Sequence, residues 1–122
     1  MTQPNFGFAS GTITTGITAT GITGGTVAYT CKWQQVGAGY MIYVKVAPSA
    51  GASLAMSSGW AITLTGLPTM PDDVAVSICS ADGVVGRGSG QLSCAAGVIY
   101  GGTAGAFSLG ANMAVTISGV SI

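Results

Sequence analysis

The sequence predicts an all-β protein, an antiparallel β-sandwich of jelly-roll-like form with about eight to ten short strands. Three observations carry this. Apolar residues recur at every second position in run after run, the period of a strand with one buried face. No apolar stripe at i, i+3, i+4, i+7 persists over three turns, and each of the 21 glycines would cost a helix interior about 1 kcal/mol. Turn residues interrupt the runs at short intervals, the rhythm of sandwiches, jelly rolls and barrels.

Residues 1–10 read as a loose leader. Residues 11–25 repeat Thr-Gly-Ile-Thr-like units, with Ile13, Ile17 and Ile22 as their large apolar groups. Thr and Ile favour extended backbone, and the glycines permit bends or close approach. This segment has too little apolar area to fold alone. It is either an edge strand with a flexible start or a neck where several chains meet, and both readings stand. The chain therefore divides into a possible neck, 1–25, and a head domain, 26–122.

From Thr26 the alternation is strong. Val27, Tyr29, Cys31 and Trp33 share one face, which places Trp33 in the core. Ile42, Val44 and Val46 share the next, with Tyr43 and Lys45 opposite. The stretch between Val46 and Trp60 reads as a small-residue loop. Trp60, Ile62 and Leu64 then alternate with Ala61, Thr63 and Thr65. Trp60 is either core or an exposed platform for a sugar or protein, with core preferred. Val74, Val76 and Ile78 form another strand, and Asp82-Gly83 suits a tight hairpin turn after it. Arg87-Gly88-Ser89-Gly90 reads as a break. Leu92 with Cys94, and Gly97–Tyr100, make two short strands after it. Residues 101–106 read as a loop, and Met113, Val115 and Ile117 as the last strand.

Charge narrows the function classes. Charged side chains are 5% of the chain, against about 25% in ordinary domains. The cations Lys32, Lys45 and Arg87 balance the anions Asp72, Asp73 and Asp82. So few cations argue against nucleic acid as a partner and against an anionic membrane surface. The chain is apolar on average, yet no window of about 18 residues is free of Gly, Ser, Thr and Pro clusters, so no spanning helix and no membrane insertion are expected. Met1-Thr2-Gln3-Pro4 has neither the basic nor the apolar region of a signal peptide, which points to synthesis in a cytoplasm.

Chemistry is sparse. The chain has no histidine, which removes the commonest general base and most nucleophile pairs. Asp72-Asp73 reads as a solvated turn and Asp82 as a turn residue. Together they are the only way to build a glycosidase-like carboxylate pair. Gly83–Gly90 is glycine-rich but lacks the Gly-Lys-Ser/Thr of a phosphate loop, and it reads as a mobile edge loop. Cys31, Cys79 and Cys94 read as small buried residues without an intrachain disulfide, and no Cys-x-x-Cys spacing supports zinc. No catalytic residue, metal or cofactor is expected. The polar handles available for binding are Asp82, Arg87, Gln91 and Tyr100.

The order of elements resembles the C-terminal head domains of bacteriophage tail fibres and receptor-binding proteins. The resemblance spans residues 29–122. It is carried by Trp33-Gln34-Gln35-Val36-Gly37 before the strand Tyr40–Val46, by Leu64-Thr65-Gly66-Leu67-Pro68 at a strand exit, by Leu92 to Ile99, and by the closing run Val115–Ile122. It implies a virion structural protein, made in the bacterial host cytoplasm, whose β-sandwich heads assemble as homotrimers. Such heads contact other virion proteins and bind a host-surface glycan or protein without catalysis. The loops here are Gly, Ala and Ser where that family carries charged and Asn residues. A capsid decoration or head-fibre protein is therefore the near alternative, with a polysaccharide-degrading enzyme behind both. Composition points to association as well, since a neutral chain with six charged side chains has little to oppose it; the number three comes from the resemblance.

Overall fold

The computed structural model describes residues 9–37, 39–68, 73–80, 86–93, 96–100 and 107–120. Among the described residues, ten strands form one antiparallel sheet. They are β1 (Ser10–Ile13), β2 (Thr18–Thr23), β3 (Ala28–Val36), β4 (Gly39–Ala47), β5 (Ser53–Thr63), β6 (Val74–Ser80), β7 (Gly86–Ser93), β8 (Val98–Tyr100), β9 (Phe107–Ala111) and β10 (Val115–Val120). The order is β1-β3-β4-β10-β6-β7-β8-β5-β2, with β9 also paired to β5.

This order forces the sheet to curl. Laid flat, the nine strands of that path would span about 38 Å at about 4.8 Å per spacing. Yet β1 and β2, at its two ends, are joined only by residues 14–17, a link that reaches about 17 Å when extended. The two ends must therefore come together, and the sheet folds over as a sandwich-like body. The link is held to the β5 side, where Thr65 Oγ1 donates to the Gly16 carbonyl at 2.9 Å.

One hydrophobic core fills the fold. Cys31 of β3, Ile42, Val44 and Val46 of β4, Val115 and Ile117 of β10, and Val74, Val76 and Ile78 of β6 are all buried. They share it with Leu54, Met56, Trp60 and Ile62 of β5, Leu92, Ile99 and Leu109. Each such side chain contributes about 1.5–3 kcal/mol by leaving water.

Several expectations hold in detail. The alternation in β4 and β6 is as read, and Trp60 is core, 1% exposed. Its indole N–H finds no acceptor among the described residues. Trp33 departs from its expected place in the core: it is only partly buried, packing at the core's margin with its ring edge-on to Tyr40 at 6.0 Å. The Thr-Gly-Ile-Thr repeat is incorporated into the sheet: β1 pairs with β3 and β2 with β5. Ile13, Ile17 and Ile22 pack against the core of their own chain. Cys31 is buried and Cys79 partly so, both as free thiols. Cys94, the Asp82-Gly83 turn and the loop 101–106 lie outside the described residues.

Other expectations need correction. The stretch before Trp60 is strand rather than loop, since β5 begins at Ser53 and buries Leu54 and Met56. The periodicity was hidden by a bulge. Between the pairs Thr20–Ala61 and Ile22–Met56, β5 carries four residues against one on β2, with Gly59 at φ +79°. A glycine tolerates that backbone, and the bulge leaves Ser57, Ser58 and Gly59 exposed, a gap in the otherwise in-phase run of buried Leu54, Met56, Trp60 and Ile62. The segment Arg87–Gly90 is likewise no break. It lies in β7, paired to β6 at Gly88, Ser89 and Gly90 with Arg87 at a register shift between the Ile78–Gly88 and Cys79–Gly86 pairs, and β7 is joined to β8 by Gln91–Ser93. A Cβ at Gly90 would collide with the Tyr100 carbonyl, so glycine here permits close approach of strands. Met113 precedes β10 and is exposed.

Candidate functional site

The outward sides of the strands hold what can meet a partner. On β7 and β8, Gln91 stands directly opposite Tyr100, with Ala75 of β6 beside Gln91 and Ala61 of β5 beside Tyr100. The two alanines leave a low floor from which Tyr100 rises, 48% exposed. Gln91 Nε2 donates to Asp73 Oδ2 at 3.1 Å, which fixes the amide's orientation and leaves its carbonyl oxygen directed by that bond. The set offers an apolar ring, a phenol, an amide and a carboxylate within one strip. Such a set can hold a ligand rich in hydroxyl or amide groups by hydrogen bonds and ring contact.

Of the four candidate binding residues, the structure brings Gln91 and Tyr100 together, and on strands rather than in loops. Arg87 lies in β7, and Asp82 lies outside the described residues. Asp73 was legible only as part of an acidic turn. Its pairing with Gln91 depends on the β6–β7 register, Val74 opposite Leu92, which short-range pattern does not reveal.

A second outward region was missed. Across β3, β4 and β10, Gln34, Met41 and Val120 lie side by side, and Tyr43 stands between Lys32 and Ser118 in the adjoining row. Val36, Met41, Tyr43 and Val120 are 47%, 47%, 38% and 56% exposed. Next to this ridge, over β1, runs a shallow groove of about 340 Å³ lined by Ser10, Thr12, Lys32, Gln34, Met41 and Tyr43. The available signal was that Met41 and Tyr43 are large and apolar on the solvent phase of β4.

No group of three or more His, Cys, Asp or Glu that could hold a metal ion occurs among the described residues. Burial pushes the Cys31 thiol up to about 11, so at neutral pH it is a packed thiol rather than a nucleophile. Burial also raises Tyr29. No helix among the described residues is long and apolar enough to cross a membrane. No family model matches the chain, and no curated protein or solved structure matches it.

Proposed function

We propose that this chain is the receptor-binding head of a bacteriophage tail fibre or spike, a non-catalytic virion protein that attaches to the host surface. The observation that carries the reading is the outward strip in which exposed Tyr100 faces the Gln91–Asp73 pair. It is a ligand-gripping arrangement built on adjacent strands of the sheet. The all-β body with a Leu67-Pro68 exit beyond β5 is compatible with the resemblance in motif order. Host-surface glycan or protein is the proposed ligand class, and the virion the proposed location.

Adsorption of the purified protein to host cells, together with a glycan array, tests this. Binding is expected, and Tyr100→Ala should weaken it by roughly 10–100-fold, the range of a truncated aromatic anchor. Absence of binding to every cell and glycan tried would overturn the reading.

A homotrimer is the proposed assembly. The isoleucines of the repeat no longer argue for it, because they have a place within one chain. The weakly charged outward face does, and the choice of three copies comes from the resemblance. The same apolar face favours a second reading, a capsid decoration or head-fibre protein seated on a viral shell. Adding purified protein to particles that lack it, and measuring recovered mass, separates the two.

A further inference from the structure

We infer that the outward face of β3, β4 and β10 is the surface through which copies of this chain meet. This rests on the homo-oligomer reading and names the surface that would make it.

The centre of the face is apolar where water alone would favour polar groups. Gln34, Met41 and Val120 form one row across three strands, with Val36 further along β3 and Tyr43 in the next row. Four of the six exposed large hydrophobic residues among the described residues belong to this one patch. Contiguous exposed apolar surface of this kind marks an interaction site. Charges stand at its margins. Lys32 neighbours Tyr43, and Lys45 lies four residues along β4 from Met41, opposite Thr116. An apolar centre with a polar rim is the anatomy of a protein interface.

Area and charge favour a second copy as the occupant. Five adjacent strands, β1, β3, β4, β10 and β6, make a face about 24 Å wide and up to about 30 Å long. That is at most about 700 Å² of sheet per copy, divided in a ring between two neighbours, against the roughly 800 Å² that each partner of a standard stable complex buries. The flanks differ in sign: Lys32 lies on the β3 side, and Asp73 leads into β6 on the other. A ring of identical copies sets the basic flank of each beside the acidic flank of the next. The relief also complements itself. The Met41–Tyr43 ridge lies beside the groove over β1, and Ser77, Thr116 and Ser118 on the other flank are small enough for close approach of a neighbour's ridge. A strongly charged partner would find only two cations here among the described residues, Lys32 and Lys45.

Size exclusion with light scattering on the full chain tests this, comparing wild type with Met41→Lys and Val120→Lys, and with Tyr100→Lys as a control outside the patch. The wild type and the control should run as oligomers. The two patch variants should run at the single-chain mass of 11.9 kDa with unchanged far-ultraviolet circular dichroism. Wild type at one chain's mass would overturn both the oligomer reading and the inference. Oligomeric Met41→Lys and Val120→Lys would overturn the face assignment and leave the oligomer standing. Should a patch variant misfold, Ser118→Cys in a Cys79→Ser, Cys94→Ser background decides. Its thiol should resist maleimide in the oligomer and react on dilution, and free reaction in the oligomer would overturn the inference.

Discussion

The two sides of β4 differ in a way that separates fold from function. Inward, Ile42, Val44 and Val46 are at most 1% exposed and touch one continuous core. Outward, Met41 and Tyr43 are exposed although they are large and apolar, and only Lys45 has the character that solvent favours. Branched aliphatic residues have few rotamers and fill a fixed volume. Met and Tyr cover surface and adapt to a second body. The inward side makes the strand fold, and the outward side leaves it with something still to cover.

Substitutions should divide along the same line. The largest effect is expected inside: Trp60→Ala should cost about 3–5 kcal/mol, the range for a fully buried Trp. Trp33→Ala, at the core's margin, should cost clearly less in the same denaturant titration. Equal costs would show that Trp33 is as central as Trp60. Ile117→Ala, inward on β10, should cost about 2–5 kcal/mol. On the outward side, Tyr43→Thr should shift the stability of the dissociated chain by no more than about 0.5 kcal/mol.

A pH titration probes the inward side by another route. Because burial raises the Cys31 thiol to about 11 from 9.0, the unfolded chain releases this proton first. The contribution is therefore intact below about pH 9 and is lost as pH rises toward about 11. Urea melts across that window should show stability falling, and Cys31→Ala should remove that part of the slope. The smallest expected effect is that of reductant, which should leave thermal unfolding unchanged. Cys31 faces the core from β3, while Cys79 lies on the outward side of β6 with Ala75 and Ser77.

These contrasts also explain what the chain disclosed before its structure was known. Strands β3, β4, β6 and most of β10 were legible because their inward residues are large and their period is unbroken. Strand β5 was legible only from Trp60 onward, since the exposed small residues Ser57–Gly59 at the bulge interrupt the run that Leu54 and Met56 begin. Strand β7 was not legible because its glycines serve close strand approach and leave no side-chain period to read. Of the candidate site, Gln91 and Tyr100 could be named as polar handles. Their adjacency, and the link to Asp73, arise from the β6–β7–β8 register, which joins residues far apart in the chain. The outward row Gln34–Met41–Val120 likewise needs three strands, one of them from the far end of the sequence.

The division between inward fold and outward contact is tested most directly by the melting temperature as a function of protein concentration, in wild type and in Met41→Lys. Association through the outward face stabilises the folded chain by mass action. The wild-type Tm should therefore rise with concentration. That of Met41→Lys should stay flat, and the two should coincide at high dilution. A Met41→Lys curve that rises in parallel with wild type, or lies well below it at high dilution, would contradict the division.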